Sequence, residues 1–473
     1  MTQKKVVIHI EDEVYARVVG LEPPDQESLY NDMGIFVDGH RFMPAFQLGR
    51  WDGRIRFFEK NGKIAYNLLE DILPKIFNWG YEIEVDDYRS SNVSIDTTVD
   101  EEFFGATSKF KLRPYQIEAV QAALSAGSGM IAACTGAGKT AICAAMSGHI
   151  ASQGLKIVVI VPSADLLNQT YETFQECFAT GKFENLSVGL YSGAHKDLAH
   201  PIVIATWQTL QYKPELMQDF QAVIIDECHQ AKADVLSELV MRYGKNIAYR
   251  FGVTGTIPKP KTDQLKLKSA FGSVLIEIPA ALLIQLGYLS TVTIEPISTV
   301  DNDPDLPDYP AEKKYLTTHE TRNRAIAELI MAKRDIYGNT LVMVNKVEQG
   351  KQLEEMIPGS VFLSGVSSNE MRQFYYDKFA NEDGLIVIAT EGIASTGISI
   401  DRIFLLFLVD ASKSFIRAIQ MIGRALRKKG DKHEAHVVDC YSSLKFGKKH
   451  AKERAKYYKE AGYPTLEKTR YRY

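Results

Sequence analysis

Short and almost continuous apolar segments, separated by helical stretches, recur through most of the chain. Between about residues 105 and 286 they are MIAAC, KIVVIV, PIVIAT, AVIID and RFGVT, and between about 287 and 440 they are LVMVN, LIVIAT, IFLLFLV and AHVVD. Strands that are buried on both faces have this composition, and their alternation with helices is typical of parallel sheets built from βαβ units. The pattern predicts an α/β protein with two consecutive parallel-sheet domains, residues 105–286 and 287–440.

The first hundred residues have a different texture. An alternating segment around Ile8 indicates a strand, and the apolar periodicity over Leu68–Trp79 indicates a helix. Asp52-Gly53 and Asn61-Gly62 stand between β-prone runs, where such pairs favour tight hairpins. These features predict a small α+β domain over residues 1–100.

Residues 441–473 form a basic C-terminal tail. From Lys445 onward there are ten Lys or Arg against three Glu. Such a segment is either a solvated helix or a phosphate-binding face, and its charge alone does not separate the two.

The composition argues against several classes of protein. The chain has 473 residues, of which 45% are hydrophobic and 24% are charged, the balance of an ordinary globular protein, and its net charge is −4. The five cysteines are scattered and include no CxxC pair, which argues against a disulfide framework or a zinc site. No apolar run approaches the roughly 20 residues that span a bilayer, and the N-terminus has no signal-peptide pattern. We therefore expect a cytoplasmic protein.

A glycine-rich loop lies between an apolar strand and an apolar helix. It comprises Thr135, Gly136, Ala137, Gly138, Lys139 and Thr140. Small residues let backbone N–H groups close around phosphates, and the positive end of the following helix points at them. Lys139 would reach the terminal phosphates of ATP, and the Thr140 hydroxyl would bind Mg²⁺. The strict form of this motif has glycine where the chain has Ala133.

Two adjacent carboxylates, Asp226 and Glu227, end the apolar segment AVIID and begin DECH. Ligands of parallel α/β sheets bind at the carboxyl edge of the strands, so this position favours a role at the nucleotide. Asp226 suits the Mg²⁺ shell, and Glu227 suits orienting and deprotonating the attacking water. His229 is placed to link this site with neighbouring segments.

The second α/β domain contributes AIQMIGRALRKKG. Arg424 and Arg427 are three residues apart, so on a helix they share a face, and Gln420 precedes them. Arginines from a second domain can neutralise charge on a phosphoryl group in transfer. We therefore predict that these three residues take part in ATP hydrolysis, which would require the two domains to close on the nucleotide.

Taken in order, these segments resemble the motif series of superfamily 2 helicases. LRPYQ, ACTGAGKT, VPSADLL, ATWQTL, DECH and TGT match motifs of the first motor domain, and LVMVN, TEGIASTGISI and QMIGRALR match those of the second. The resemblance covers about residues 105–440. It implies two tandem RecA-like motor domains that use ATP and Mg²⁺ to move on nucleic acid.

The resemblance also implies roles for individual residues. Arg113 and Gln116 would recognise adenine, and Gly397 would approach the nucleotide. Thr254 and Thr256, together with the DECH histidine, would couple hydrolysis to movement. The residues implied to contact the sugar-phosphate backbone of the tracking strand are Ser163, Thr206, Ser364 and Thr390.

The first block contains NDMGIFVDGHRFMPAFQLGRWDGRIRFF, which resembles the N-terminal domain of the UvsW-type helicases of tailed bacteriophages. That family unwinds and remodels branched DNA, including forks, Holliday junctions, D-loops and R-loops. The resemblance implies 3′→5′ translocation with branch migration in recombination, repair and replication. It also implies a monomer that acts on branched or partly single-stranded DNA and on RNA–DNA hybrids, in the cytoplasm of the host cell.

Basic and aromatic residues cluster around the Asp52-Gly53 pair. Such residues can hold phosphates and stack on exposed bases. The residues predicted to contact DNA are Arg50, Trp51, Arg54 and Arg56. We expect the side chains of Phe46, Phe57 and Phe58 to lie in the core of the small domain.

Two alternatives to a DNA motor stay open on the sequence alone. One is an RNA helicase, because motor motifs grip the backbone and do not by themselves distinguish the sugar. The other is a nucleotide-gated clamp that binds junctions without turnover. The joint presence of Lys139, Glu227, Arg424 and Arg427 argues against the clamp, because a degenerate site would be expected to lack at least one of them.

Overall fold

The computed structural model describes residues 4–89, 95–105, 107–108, 110–231, 235–301, 306–390, 402–411, 434–460 and 462–473. The chain divides into two compact units. The first unit comprises residues 1–133 and 138–277, and the second comprises residues 134–137 and 278–473. Within the described ranges, every helix is too short or too polar to span a bilayer.

The N-terminal domain of the first unit has a mixed sheet covered by a helix. Its described elements are β1 Lys4–Ile10, β2 Tyr15–Val19, α1 Pro23–Asp32, β5 Lys63–Ala65, α3 Leu69–Asn78 and β6 Tyr81–Asp87, with sheet order β5-β2-β1-β6. β1 pairs antiparallel with β2 and parallel with β6. Ile8 and Ile72 are buried in the core between sheet and helix. The predicted strand around Ile8, the helix within 68–79 and the α+β class are confirmed.

A small lobe, residues 34–56, projects from this domain. It consists of β3 Gly34–Phe36 and β4 Arg54–Arg56, paired antiparallel, and the connection between them, which contains the short helix α2 Pro44–Gln47. The predicted tight hairpin at Asp52-Gly53 is wrong. Asp52 Oδ1 instead accepts a hydrogen bond from the Arg54 N–H at 3.1 Å, which makes a local turn at the start of β4.

The second predicted turn, at Asn61-Gly62, is confirmed. Phe58 and Ile64 pair across it, and the Gly62 N–H donates to the Glu59 carbonyl oxygen at 2.9 Å. Gly62 has φ +82°, which a side chain with a Cβ rarely adopts.

The first parallel-sheet domain, which belongs to the first unit, contains a seven-stranded sheet within the described residues, in the order β13-β7-β12-β11-β8-β10-β9. Its strands are β7 Ser128–Ala133, β8 Ile157–Val161, β9 Val188–Tyr191, β10 Ile202–Thr206, β11 Ala222–Asp226, β12 Tyr249–Thr254 and β13 Val274–Ile278. Its helices are α4 Pro114–Ala126, α5 Lys139–Ser152, α6 Ala164–Phe178, α7 Trp207–Leu210, the π-helix α8 Leu236–Tyr243, and α9 Lys261–Phe271. The neighbouring strands among β7, β8, β10, β11 and β12 are all parallel to one another. The carboxyl ends of β10, β11 and β12 therefore lie at the same edge of the sheet.

Helix α9 joins the first parallel-sheet domain to the N-terminal domain. Leu265 packs against the N-terminal core. Lys268 Nζ lies 2.8 Å from Glu70 Oε1 and 2.7 Å from Asp71 Oδ2, at the start of α3. The Asn67 amide donates to the Ser269 carbonyl oxygen at 3.4 Å. Apolar packing and ion pairs therefore bind the two domains of this unit together.

The second unit contains a seven-stranded parallel sheet within the described residues, in the order β16-β17-β15-β18-β19-β14-β20. Its strands are β14 Thr291–Thr299, β15 Thr340–Val344, β16 Val361–Leu363, β17 Ile386–Thr390, β18 Leu405–Val409, β19 Glu434–Ser442 and β20 Thr469–Tyr471. Its helices are α10 Ala280–Gln285, α11 Tyr309–Thr318, α12 Glu320–Tyr337, α13 Val347–Met356, α14 Asn369–Asn381 and α15 Lys445–Glu460. The two predicted parallel-sheet domains are thus confirmed in class.

The basic segment 441–473 is built into the second unit. It carries α15 and β20, and β20 pairs parallel with β14. Arg454 of α15 is buried, with its Nη2 2.6 Å from Asp439 Oδ1. A segment grouped as a tail on its charge therefore contributes an edge strand and a buried cation to this domain, because its apolar and charged residues find partners distant in sequence.

A buried ionic cluster lies on the second sheet. Arg322 is completely buried on α12, and its Nε lies 2.9 Å from Asp301 Oδ1. Its two terminal nitrogens donate to the carboxylate of Asp410 at 2.7 and 2.8 Å. Asp301 also accepts hydrogen bonds from the hydroxyls of Ser442 and Tyr473, at 2.6 and 2.7 Å. One cation thus balances two carboxylates from separate segments.

Replacing Arg322 with methionine is expected to lower the free energy of unfolding of the second unit by about 3–5 kcal/mol, because it leaves the buried carboxylate of Asp301 and the partly buried carboxylate of Asp410 without a cation. The measurement is hydrogen exchange of the β14 and β18 amides. Tryptophan fluorescence would not follow unfolding of the second unit, because Trp51, Trp79 and Trp207 all lie in the first unit. Arg324→Met on the same helix is the control. Its exposed pair with Glu320 should contribute little, so equal loss of protection in both variants would contradict the assignment.

Candidate nucleotide site and nucleic-acid surface

The phosphate loop ends where α5 begins. Lys139 is the first residue of that helix, and its Nζ lies 3.3 Å from Glu227 Oε1 and 3.4 Å from the Ala133 carbonyl oxygen. Gly138, before it, has φ +79°, and a Cβ there would lie 2.4 Å from the Gln116 side-chain nitrogen. The loop therefore requires glycine at this position, and the predicted adenine-recognition residue Gln116 packs against it.

The earlier part of the loop is a tight turn. The Ala137 N–H donates to the Cys134 carbonyl oxygen at 3.1 Å, and Gly136 has φ +88°. Thr135 lies within this turn, and Thr140 lies in the first turn of α5. This is the backbone form predicted for a phosphate cradle.

Asp226 is the last residue of β11 and is 9% exposed. Its Oδ1 accepts a hydrogen bond from the Glu227 N–H at 2.9 Å. Burial raises the pKa of Asp226, and the neighbouring charge of Glu227 acts in the same direction. A cation beside this carboxylate would favour its charged form. Together with the Thr140 hydroxyl, Asp226 offers the oxygen ligands that Mg²⁺ prefers, so these residues fit the ion.

Glu227 has the left-handed backbone conformation, with φ +47°, which non-glycine residues rarely adopt and which is concentrated at functional sites. Burial opposes its ionisation, but the charges of Lys139 and His229 prevail and lower the pKa of Glu227. Its Oε2 accepts the Gly255 N–H at 3.4 Å. Glu227 is therefore held as a carboxylate between the phosphate loop and the TGT segment.

A chain of close polar contacts continues from Glu227 into the TGT segment. His229 Nδ1 lies 3.3 Å from Glu227 Oε2 and 2.6 Å from Thr254 Oγ1. The Thr254 hydroxyl in turn contacts the Thr256 carbonyl oxygen at 2.9 Å and the Thr256 N–H at 3.1 Å. Among the described residues, the buried His229 Nε2 and Thr256 Oγ1 have no hydrogen-bond partner. The three residues predicted to couple hydrolysis to movement are thus in contact with one another.

The predicted adenine-recognition residues lie at the start of α4. The Arg113 N–H donates to Gln116 Oε1 at 2.9 Å, and Arg113 Nη1 donates to Tyr115 Oη at 2.9 Å. Gln116 is buried. The two hydrogen bonds fix the local conformation of LRPYQ, and the Gln116 side chain packs against Gly138.

The predicted backbone-contact residues stand at the carboxyl ends of strands. In the first unit the Ser163 hydroxyl caps α6 by accepting the Leu166 N–H at 3.3 Å, and Thr206 Oγ1 lies 2.9 Å from Thr209 Oγ1. In the second unit Ser364 follows β16 and Thr390 ends β17. Within the described ranges the Ser163 hydroxyl donates no hydrogen bond, so its hydrogen can face a phosphate oxygen. Nucleic-acid contact by all four residues stays a prediction.

The structure separates the four predicted DNA contacts of the lobe. Arg50 is exposed, and the Arg54 guanidinium stacks 4.2 Å from the Phe36 ring. Trp51 is partly buried and donates from Nε1 to the Arg54 carbonyl oxygen at 2.8 Å. Arg56 Nη2 lies 2.5 Å from Asp52 Oδ2, which ties that arginine into the lobe itself.

The predicted core phenylalanines also differ from one another. Phe58 is fully buried in the N-terminal core, and Phe57 packs against it. Phe46 instead meets the His40 ring edge-on within the lobe, at 4.9 Å between centroids. The core prediction is therefore confirmed for Phe57 and Phe58 and wrong for Phe46, because the lobe has a separate aromatic cluster.

Four predicted site residues, Gly397, Gln420, Arg424 and Arg427, lie outside the described residues, and their roles stay predictions. Two features of the site were missed by sequence reasoning. The Gly255 N–H points at Glu227, and Arg41 and Phe42 extend the surface of the lobe. The basic and aromatic composition of residues 40–50 was the available signal for Arg41 and Phe42.

Three family models match the chain. Residues 20–86 match the model described as DNA helicase UvsW, N-terminal. Residues 109–259 match Type III restriction enzyme, res subunit, and residues 321–429 match Helicase conserved C-terminal domain.

Curated relatives extend these matches along the chain. The ATP-dependent DNA helicase uvsW of Enterobacteria phage T4 is 28% identical over 96% of this chain and 93% of its own length. The DNA 3′-5′ helicase XPB of Kineococcus radiotolerans is 26% identical over 76% of this chain and 64% of its own length.

A solved structure supports the fold. The fragment structure of a putative HsdR subunit of a type I restriction enzyme from Vibrio vulnificus has a TM-score of 0.59 at 17% identity, covering 78% of this chain and 71% of that chain. That likeness concerns the fold alone. The three family matches, together with similarity to a phage helicase along nearly the whole sequence, show that the chain is an ATP-dependent helicase similar to those of the UvsW type.

Proposed function

We propose that this helicase unwinds and branch-migrates branched DNA, moving 3′→5′ in recombination, repair and replication. Support for the substrate comes from the N-terminal family match, which is to the DNA helicase UvsW, and support for polarity comes from relatives named DNA 3′-5′ helicases. The main structural support for motor activity is the continuous series of side-chain contacts from Lys139 through Glu227 and His229 to Thr254.

The path suggests a division of roles in hydrolysis. Lys139 would bind the terminal phosphates of ATP, which releases Glu227 from its ion pair. Before ATP binds, against the opposing effect of burial, the Lys139 charge lowers the pKa of Glu227 and keeps it deprotonated. Once that contact is released, Glu227 would accept the proton of the attacking water. Thr140 and Asp226 would hold Mg²⁺, which neutralises phosphate charge when bound.

The same path suggests how hydrolysis reaches the DNA. A change in the Lys139–Glu227 contact alters the contacts of His229 with Glu227 and Thr254, and α9 begins at Lys261, shortly after the TGT segment. That helix is bound to the N-terminal domain through Lys268. We therefore propose that the N-terminal domain moves together with the first motor domain during each cycle of ATP hydrolysis.

The coupling role is testable with Thr254→Val, which keeps the shape and removes the hydroxyl. Unwinding is expected to fall about tenfold more than ATP hydrolysis stimulated by single-stranded DNA, because the buried His229 loses its partner. Steady-state hydrolysis and strand displacement are measured on the same preparation. Thr173→Val, whose hydroxyl bonds within α6, is the control. Equal loss of both activities in Thr254→Val would remove the coupling role.

The remaining proposals concern organisation and partners. We propose domains of about 1–100, 105–277 and 278–473, so that α10 and residues 441–473 belong to the last domain. We also propose that the protein acts as a monomer in the host cytoplasm, on branched or partly single-stranded DNA and on RNA–DNA hybrids.

The deciding experiment is steady-state ATP hydrolysis without nucleic acid, with single-stranded DNA, with a synthetic four-way DNA junction and with structured RNA. The proposal expects strong stimulation by the junction and weaker stimulation by RNA. Stimulation mainly by RNA would move the function to an RNA helicase. No turnover with any substrate would leave a junction-binding clamp.

A further inference from the structure

The lobe of the N-terminal domain has its own packing. The His40 ring stacks on Phe36 with 4.7 Å between centroids and meets Phe46 edge-on. Gly53 has φ +82°, and a Cβ there would lie 2.6 Å from the His40 ring. The Val37 N–H donates to the Gly53 carbonyl oxygen at 2.8 Å. The connection between β3 and β4 is therefore an ordered structure with a defined outer surface.

That outer surface, which we call the tip and define as residues 41–50, exposes large apolar side chains. Phe42 is 84% exposed, Leu48 is 64% exposed and Met43 is 40% exposed. The aromatic cluster beneath the tip does not cover them. Apolar side chains grouped in this way on an ordered surface mark a binding site.

The tip is basic as well as apolar. The whole lobe contains four arginines and two aspartates, with no lysine or glutamate. One aspartate, Asp52, is engaged by Arg56. Within the part of the chain that the structure describes, Arg41 and Arg50 at the tip have no carboxylate within ion-pair distance. Their positive charge is therefore available to phosphate groups.

We propose that the tip binds unpaired bases where the strands of a branched DNA part. Phe42 and Leu48 contact the faces of the bases, and Arg41 and Arg50 hold the flanking phosphates. Aromatic surfaces beside cations are the chemistry by which proteins grip single strands without reading sequence. The positive charge favours DNA over an apolar protein surface as the occupant. This inference rests on the proposed function, since it takes branched DNA as the substrate.

The lobe contacts the domain that carries the nucleotide site. β3 contacts α9, the helix that follows the TGT segment. The lobe that carries the tip is thus anchored through β3 to the helix that follows the TGT segment. This placement suits a contact that keeps the displaced strand from re-pairing while the motor advances.

The experiment uses the full-length chain and a DNA fork with 2-aminopurine at the branch point. The first variant is Phe42→Ala with Leu48→Ala, and the second is Arg41→Ala with Arg50→Ala. Phe77→Ala is the control, because Phe77 is 71% exposed on α3 of the same domain. The readouts are fluorescence of the probe on binding, fork unwinding, and ATP hydrolysis stimulated by long single-stranded DNA.

For Phe42→Ala with Leu48→Ala, fork unwinding should fall about tenfold, the size expected for one lost stacking contact, and the 2-aminopurine signal should be lost. ATP hydrolysis with single-stranded DNA should stay within about twofold of the parent chain. A chain with Phe42→Trp, which keeps an aromatic surface at this position, should unwind the fork as the parent chain does. For Arg41→Ala with Arg50→Ala, fork binding should weaken with a smaller salt dependence.

Two results would overturn the assignment. Parent-like unwinding by the Phe42→Ala and Leu48→Ala variant would leave the tip as a surface for a protein, and an equal fall in single-strand-stimulated hydrolysis would make it a general support of the fold. The proposed function fails separately, if the parent chain unwinds RNA duplexes and no DNA fork.

Discussion

ATP hydrolysis by a Lys139→Ala variant is expected to be at least about 100-fold slower than by the parent chain, with loss of unwinding. The Lys139 Nζ is the cation 3.3 Å from Glu227, at the start of the helix that follows the phosphate loop. Its removal takes away the positive charge that would face the terminal phosphates and leaves Glu227 without its ion pair. The measurement is steady-state hydrolysis with saturating single-stranded DNA.

DNA binding should largely survive in this variant, because the predicted nucleic-acid contacts lie elsewhere in the sequence. Fluorescence anisotropy with a labelled fork tests that expectation. Lys351→Ala, which removes an exposed lysine of α13, is the control and should hydrolyse ATP at the parent rate. Parent-like turnover by Lys139→Ala would remove the assignment of the phosphate loop.

Replacing Glu227 with glutamine is expected to slow hydrolysis by about 100-fold or more while ATP binding persists. Glutamine keeps the size of the side chain and can still face Lys139, but its amide cannot accept the proton of the attacking water. Because Glu227 is held at φ +47° by its neighbours, the near-isosteric change tests the chemistry with little disturbance of the backbone.

The measurements are binding of a fluorescent ATP analogue and single-turnover hydrolysis. Glu277→Gln, at an exposed position of β13, is the control, and it should hydrolyse ATP at the parent rate. A variant that loses nucleotide affinity but hydrolyses bound ATP normally would show that Glu227 supports binding and has no role as a base.

The two predictions separate two functions that are close together in space. Lys139 and Glu227 belong to different strand-end segments, 88 positions apart by their numbers, and their contact follows from the parallel arrangement of β7, β12 and β11. Loss of Lys139 should weaken the interaction with phosphate, whereas loss of Glu227 should affect the proton transfer. A common cause for both effects, such as misfolding, would lower ATP binding in each.

The sequence determined the class of the fold, and it predicted the motor residues, whose roles stay predictions. Buried parallel strands require continuous apolar segments, and phosphate binding requires small residues before Lys139, so both leave a local record in the chain. The strand at Ile8 and the turn at Asn61-Gly62 were predictable for the same reason. Their conformations depend on residues that are adjacent in sequence.

Only the tertiary structure decided which of these residues act on one another. The Gln116 contact with Gly138, the His229 bond to Thr254 and the ion pairs of Lys268 with the N-terminal domain join segments that no local pattern relates. The prediction of a hairpin at Asp52-Gly53 was wrong because β4 pairs with Gly34–Phe36 and not with the residues immediately before Asp52. Pairing and burial are set by distant partners, whose positions the chain specifies only once it is folded.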